Sequence, residues 1–476
     1  MEFSGRPVRP IRIGALGPVS RCGGKRAWML LCWMAWFLGA SVSLPASQPE
    51  VSGSTGGRPD VVLISLDTTR ADHLSLYGYP LATSPNLDRF AAKAVVFESA
   101  RTVVPLTGPS HASLFTSLYP HQHGAFRNGI PLRKDVPTLA RILSARGYDC
   151  AAFLSGWTLK SRLCGLQEGF RVYDETFTQR YKLLNRERAA EDVTQAVLAF
   201  LDSGRYSRPL FLFVHYFDPH DPYRRHKGFR ESLGAQAAAL GWTLPGKVCD
   251  YDNEISYMDS HLGELLLQIE KRGLLDHAVL WIVGDHGESL GEHGYWGHGR
   301  RVYEPNLRIP MVLFAPAWFR TPARIMEPVT TLDVLPTLFG LLSEPLEDIP
   351  MEGRDLSGFL ARGDNLPVER LYFETFKGTL RSLTKVVAPE VPPLPSLFGC
   401  LDGNFKCIIG NEGNSVEIYD LNSDNTETKN LAAKGTYPFT VSEILSWYEQ
   451  GRSRQPVSVD VAPEDLEGLK SLGYIN

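Results

Sequence analysis

Trp281-Ile282-Val283-Gly284-Asp285-His286-Gly287-Glu288 joins an apolar run to an abrupt set of metal-type donors, and His293 and His298 follow within a few residues. A strand that stops at an adjacent carboxylate and imidazole offers one oxygen and one nitrogen ligand at the edge of a sheet. The plainer reading is a polar strand end holding a salt-bridged aspartate. A distant segment weighs against it: residues 61–66 form a short β-branched run that ends in Asp67-Thr68-Thr69-Arg70, so a second strand also finishes in a carboxylate, then an arginine. A third segment, Val103-Val104-Pro105-Leu106-Thr107-Gly108-Pro109-Ser110-His111, sets a hydroxyl at a turn ahead of helix-type residues 112–118. Backbone N–H groups and the helix dipole favour an anion at such a turn. Thr107 is therefore placed like a nucleophile.

These motifs resemble the sulfatase-like branch of the alkaline phosphatase superfamily. The likeness rests on Asp67-x-x-Arg70, on Thr107-x-Pro109-Ser110-His111 followed by Tyr119-Pro120-His121-Gln122-His123-Gly124, and on Asp285-His286-Gly287-Glu288 with Gly291-Glu292-His293. It extends to Asp218-Pro219-His220-Asp221-Pro222 and to Tyr419-Asp420-Leu421 with Asn430-Leu431, covering roughly residues 58–435. Each motif alone is weak, but their coincidence in order is specific. Three departures separate the chain from an ordinary arylsulfatase. Thr107 and His111 stand where the family has the Cys or Ser and the Arg of C/S-x-P-x-R, which excludes formylglycine maturation. The family's Lys-x-His pair is missing from 155–165, and His298 replaces the lysine expected after the Asp-His pair.

The resemblance implies a metal-dependent ester hydrolase in which Asp67, Asp285 and His286 hold one divalent cation that also binds Thr107 Oγ and lowers its pKa. Mixed oxygen and nitrogen donors suit zinc or manganese better than calcium or magnesium. Thr68 is a candidate fifth ligand, and Asp218, His220 and His298 have the residue types of a second metal site; one metal is the expectation. His220 and His298 are candidates for general acid and base. Arg70 and His111 are candidates to clamp the anion or orient Thr107, with a structural counter-ion to Asp67 as the plainer role for Arg70. His121, His123 and His293 read as supporting or packing residues. A sulfated threonine lacks the easy exit of a formylglycine hydrate, whereas a phosphothreonine has an easier exit through attack at phosphorus with metal stabilisation of the developing charge, so phosphate mono- or diesters are expected over sulfate esters. A phosphotransferase, a sulfatase working without formylglycine, and a non-catalytic binding protein are the alternatives.

Composition fits a large globular enzyme. With 476 residues and 43% hydrophobic content the chain can bury a substantial core. A net charge of −4 gives no hint of nucleic-acid binding, which usually needs a basic surface, and the expected partner is a small or exposed anionic ester. Arg6, Arg9, Arg12, Arg21, Lys25 and Arg26 precede an uncharged run to about Ala46, the order of a signal peptide or of an uncleaved membrane anchor, so export to the periplasm or beyond is expected. Of the seven cysteines, Cys22 and Cys32 lie in that leader. Cys400 and Cys407 flank an Asp402-Gly403 turn signal, with a bridge and free thiols both open.

Strand-type runs at 61–66, 95–97, 150–154, 210–216 and 279–283 alternate with helix-type segments at 86–94, 138–145, 189–201 and 253–274. That order predicts an α/β fold, a three-layer αβα sandwich around a large, mostly parallel mixed sheet. Beyond a helix at 330–342 the texture changes to short strands at 370–375, 379–387, 405–409 and 416–419 and a helix at 441–449, predicting a smaller C-terminal antiparallel sheet domain. The expected organisation is a leader and linker at 1–57, a catalytic domain at 58–345 and a small α+β subdomain at 346–476. The Pro-rich stretch 388–395 is an expected border of the pocket, and specificity is expected from loops around 224–242 and from the small domain.

Overall fold

The computed structural model describes residues 57–453 apart from 178, 182–184, 320, 347, 367–368, 377–390, 393 and 411–412, together with residue 467. The leader at 1–56, the strand expected at 379–387 and part of the Pro-rich stretch lie outside the described residues. Among the described residues, no helix is long and apolar enough to cross a membrane.

Eight strands make the large sheet: β1 (Asp60–Leu66), β2 (Val95–Phe97), β3 (Asp149–Leu154), β4 (Val172–Asp174), β5 (Leu210–Tyr216), β6 (Ala278–Gly284), β7 (Met311–Phe314) and β8 (Ala323–Ile325). Their spatial order is β8-β2-β7-β6-β1-β5-β3-β4. β1 is central and parallel to both β5 and β6, and β7 is the strand that runs antiparallel to its neighbours β6 and β2. All seven residues of β1 are buried, which is why it reads as an unbroken apolar run and not as an alternating one. Val61 and Leu63 face one core, and Val62, Ile64 and Leu66 face the other.

The main helices are α1 (Pro85–Ala91), α2 (Thr107–Thr116), α3 (Leu139–Ala145), α4 (Ala190–Asp202), α5 (Phe229–Ala239), α6 (Gly246–Lys271), α7 (Val334–Leu342) and α8 (Val441–Gly451), and all but α5 and α8 cover the two faces of the large sheet. Ala112 and Phe115 of α2, Leu139 and Leu143 of α3, and Leu335 and Phe339 of α7 pack on the face of Val61 and Leu63. Phe90 of α1, Val193 and Val197 of α4, and Ile255 and Leu262 of α6 pack on the other. Each such aliphatic or aromatic side chain contributes on the order of 1.5–3 kcal/mol by leaving water. A charge at Ile64, buried in the central strand, would lose that and add a desolvation cost.

Two helices begin earlier than their sequences suggest. The helix expected at 112–118 opens at Thr107, because Pro109 falls in the first turn, where its missing N–H has no intrahelical partner to lose. The helix expected at 253–274 starts at Gly246, just after Pro245. The stretch 224–242, expected as loop, contains α5, whose Ala-rich pattern is interrupted by Gly234.

The smaller sheet is antiparallel in the order β9 (Leu371–Thr375), β10 (Leu397–Asp402), β11 (Phe405–Gly410), β12 (Ser415–Asp420). Asp402 pairs with Phe405 across a two-residue turn with Gly403 at φ +57°, which places Cys400 opposite Cys407. Both thiols are free, as are Cys150, Cys164 and Cys249. β10 is absent from the sequence reading because Gly399 interrupts its apolar pattern. A Cβ there would sit 1.8 Å from the Cys407 carbonyl oxygen, so the close strand approach requires glycine. α8 is capped by the Thr440 hydroxyl, which accepts from Glu443 N, and by the Glu443 carboxylate, which accepts from Thr440 N. Lys406 of β11, fully buried, ties the small sheet to the large body by donating to Glu304 Oε1 at 3.0 Å, and it also forms an ion pair with Glu427 Oε1 at 2.7 Å.

Candidate active site

Side-chain alternation along three neighbouring strands builds the site. Val61, Leu63 and Ser65 of β1, Phe211, Phe213 and His215 of β5, and Val279, Trp281 and Val283 of β6 are the odd-numbered positions of their strands. The hydrophobic members all belong to the core beneath α2. Ser65 is level with His215 and Leu66 with Gly284, so the next odd positions, Asp67 and Asp285, emerge side by side at the carboxyl edge of the sheet. α2 starts on that face, and Thr107 is its first residue.

Donor atoms of Asp67, Asp285 and His286 all lie within 4.8 Å of one another, and the three residues are fully buried. His286 Nδ1 donates to the Gly287 carbonyl at 3.0 Å, so Nε2 carries a lone pair. That nitrogen is 3.5 Å from Asp285 Oδ2, 4.0 Å from Asp67 Oδ1 and 3.3 Å from Thr107 Oγ1. Asp67 Oδ1, Asp285 Oδ2 and Thr68 Oγ1 are buried without a hydrogen-bond partner. Burial pushes both carboxyls well above the usual carboxylate range; the charge of Asp67 adds to the shift at Asp285, and Glu288 adds to that at Asp67. Two orphaned carboxylate oxygens, an imidazole lone pair and a hydroxyl facing one point fit a divalent cation, and the nitrogen favours zinc or manganese over calcium or magnesium.

The loops bearing these donors are fixed by backbone bonds. Asp285 Oδ1 accepts from Thr68 N at 3.0 Å and from His286 N at 2.6 Å. Thr68 is held at φ +48°, unfavourable for a β-branched residue, while its carbonyl accepts from the Tyr251 hydroxyl at 2.8 Å. Gly287 is required by proximity: a Cβ would lie 2.1 Å from Pro305 O and 3.2 Å from Arg70 Cγ.

Two sequence-derived roles need correction. Arg70 does not face the carboxylate cluster, and its counter-ions are Asp72 and Glu292, not Asp67. Nε and Nη2 donate to the two Asp72 oxygens at 2.9 and 2.7 Å, and Nη1 donates to Glu292 Oε1 at 2.6 Å and to Glu288 O at 3.1 Å. These contacts engage four of the five guanidinium N–H donors, and its ionic partners are Asp72 and Glu292. His111 likewise has both ring nitrogens engaged: Nδ1 donates to the Thr107 carbonyl at 2.7 Å, and Nε2 accepts from the Ser65 hydroxyl at 2.8 Å. It pins the first turn of α2 to β1, leaving the orienting alternative and not the clamp.

His220 and His298 do adjoin the cluster. Their rings are 4.9 Å apart between centroids, and His298 is 4.6 Å from His286. The expected trio Asp218, His220 and His298 does not form a ligand cluster among the described residues, because Asp218 instead groups with His226 and Glu254. His220 stacks on Phe217 at 4.4 Å, and its Nδ1 donates to the Asp221 carbonyl at 2.6 Å. Burial and the neighbouring His298 hold its pKa well below the usual histidine range. His298 is displaced the other way: burial works against its charge, but Glu288, whose Oε1 is 3.2 Å from Nδ1, and then Asp67 and Asp285, raise it. His121, His123 and His293 pack elsewhere, against Glu374 at 2.9 Å, Ser113 at 3.0 Å and the Tyr303 ring at 3.7 Å respectively.

Two polar residues of the site escaped the sequence reading of roles. His215 Nδ1 accepts from Gly156 N at 3.3 Å, so its Nε2–H donates to Asp67 Oδ2 at 3.1 Å; burial holds its pKa at about 3, keeping it neutral. The available signal was one histidine in Leu-Phe-Leu-Phe-Val-His-Tyr, a polar intrusion in an otherwise buried strand. Glu288, fully buried, is the other: it ends the Asp285-His286-Gly287-Glu288 motif and faces His298.

The mixed sheet, the antiparallel partner sheet and a buried Asp-Asp-His cluster with a hydroxyl beside it define a metallohydrolase architecture. The chain belongs to the Sulfatase family, whose model matches residues 59–344, and with it to the alkaline phosphatase superfamily of ester hydrolases. It is 22% identical over 493 aligned residues to the N-acetylglucosamine-6-O-sulfatase of Bacteroides thetaiotaomicron, covering 83% of this chain and 86% of that protein. It is 24% identical over 520 to the multifunctional alkaline phosphatase superfamily protein PehA of Trinickia caryophylli, covering 86% and 99%. The phosphonate monoester hydrolase of Agrobacterium radiobacter superposes with a TM-score of 0.62 at 21% identity, covering 83% of this chain and 94% of that one.

Proposed function

We propose that this chain is an exported hydrolase of phosphate mono- or diesters in which Thr107 is the nucleophile. The observation that carries the reading is a threonine hydroxyl 3.3 Å from His286 Nε2, beside the unpartnered oxygens of Asp67 and Asp285, at the first turn of a ten-residue helix. A cation held by Asp67, Asp285 and His286 would supply Lewis-acid stabilisation of the threonine oxygen and of the charge on the transferred group.

The chain's own residues account for the rest. Thr107 Oγ attacks phosphorus as its hydroxyl proton passes to solvent, forming an O–P bond while the bond from phosphorus to the leaving-group oxygen breaks. His298 gives that oxygen a proton. His220, held neutral with Nδ1–H committed to Asp221, takes a proton from the water whose oxygen then bonds to phosphorus as the bond to Thr107 Oγ breaks, and Thr107 and His298 regain their protons from solvent while His220 gives its proton up to it. Opposite displacement of two neighbouring imidazoles separates an acid from a base. His111 and Ser65 hold the helix turn that presents the hydroxyl.

The test is a panel of p-nitrophenyl phosphate, bis-p-nitrophenyl phosphate, a phosphonate ester and p-nitrophenyl sulfate, with and without zinc or manganese. Metal-dependent release from the phosphorus esters is expected. Hydrolysis of the sulfate alone would overturn the preference for phosphorus, and inertness throughout would favour a binding protein on the same fold.

A further inference from the structure

Asp218 follows β5 by two residues, and its surroundings differ from those of the catalytic cluster. Its ligand atoms and those of His226 and Glu254 lie within 4.8 Å of one another. Asp218 is 8% exposed and Glu254 2%, and Asp218 Oδ2 is buried without a hydrogen-bond partner. The second oxygen pair is already arranged: Glu254 Oε2 is 2.9 Å from His226 Nε2, and Glu254 Oε1 accepts from Arg224 N. His226 is fixed by its ring stacking on Tyr257 at 3.6 Å and by its N–H donating to Asn253 Oδ1 at 3.0 Å. These contacts hold residues 224–226 against α6, so the three donors are not free to drift apart.

Charge is unbalanced here. Among the described residues, Glu187, also buried, joins Asp218 and Glu254, and a cation beside them is Arg224, whose Nη2 donates to Glu187 Oε2 at 3.1 Å. Arg225 and Arg230 are paired with Asp250 and Lys247 with Asp221. Burial raises Asp218 well above its usual range, with Glu254 next in effect, and pushes Glu187 up to about 7. A carboxylate in such surroundings is stabilised only by a cation or by taking up a proton.

We propose that Asp218, His226 and Glu254 form a second divalent-cation site, distinct from the Asp67, Asp285 and His286 cluster. Two carboxylate oxygens and one imidazole nitrogen suit zinc or manganese rather than calcium. Binding uses the Nε2 lone pair of His226, the atom that faces Glu254 Oε2 at 2.9 Å. The bound ion ties the segment carrying His220 to α6, which makes the site one that positions a catalytic-pocket residue and not one that touches the ester.

Zinc itself is the probe. Full-length protein, stripped with chelator, reloaded with zinc and desalted, should hold two equivalents per chain by elemental analysis. Asp218→Asn and His226→Ala should each hold one, and Asp285→Asn should lose the other. His226 is partly exposed, so H226A is the variant that keeps the fold, checked by circular dichroism. One equivalent in the wild type that is lost in D285N but kept in H226A overturns the proposal, as does retention of both equivalents in H226A. One equivalent lost in H226A but kept in D285N supports this site while removing the metal from the catalytic reading.

Discussion

Replacing Thr107 by valine or serine separates the hydroxyl from the shape of the side chain. Valine is nearly isosteric, so Thr107→Val keeps the packing of a fully buried position and removes only the atom 3.3 Å from His286 Nε2. If that atom forms the covalent bond, kcat falls by at least ~10³-fold, because the remaining groups stabilise charge but have nothing to attack with. Thr107→Ser keeps the oxygen and loses a methyl group. A β-branched side chain in a helix is nearly confined to one or two rotamers, whereas serine samples up to three, a cost of up to about RT ln 3, or ~0.6 kcal/mol. Losing the buried methyl adds up to ~0.8 kcal/mol of weakened packing around the hydroxyl. The sum, ~1.4 kcal/mol, bounds the loss in kcat/KM at about tenfold. The assay is kcat/KM on p-nitrophenyl phosphate, with zinc content measured on the same samples and expected near wild-type in both. Thr107→Val within tenfold of wild type would refute the nucleophile, and so would Thr107→Ser as inactive as Thr107→Val while folded and metal-loaded.

Other consequences follow from the same contacts. Glu288→Gln removes the charge that most raises His298; an imidazolium acid lost at lower pH moves the alkaline limb of the kcat/KM profile acidward, and an unmoved limb would take His298 out of the acid role. Lys406→Met strands Glu304 and Glu427 in the interior and should cost ~3–5 kcal/mol in urea unfolding, with Arg101, 2.8 Å from Glu304, keeping the loss toward the lower end. Gly287→Ala drives a Cβ to 2.1 Å from Pro305 O and must shift the backbone beside His286, so stability should fall by ~1–3 kcal/mol and zinc retention with it. A thermal midpoint and metal content equal to wild type would show that the loop yields without disturbing the ligands.

The elements that carry ligands were legible because each is a local pattern. Asp67 and the Asp285-His286 pair end apolar runs, and the alternation of strands and helices defines the sheet. What remained hidden depends on partners far along the chain. Nothing near Arg70 or His111 announces that Glu292 and Ser65 will occupy them, since the Arg70 to Glu292 bond closes over 222 positions. The same holds for the second cation site: Asp218 sits in a motif that points to His220 and His298, and only the packing of α6 brings Glu254 to it. His215 left a trace, one imidazole in a buried strand, but a lone histidine in a core does not declare its partner.

Strand register, more than any loop, therefore decides the chemistry. In a parallel sheet a one-residue slip turns every side chain to the opposite face. Slipping β5 against β1 would move His215 from Asp67 to the core under α4 and α6, and slipping β6 would carry Asp285 away from the first turn of α2. The register is locked by apolar residues on both faces, so the hydrophobic pattern that folds the sheet also fixes where its polar ends emerge. Positions in the central strands are consequently constrained twice, by core packing and by ligand geometry.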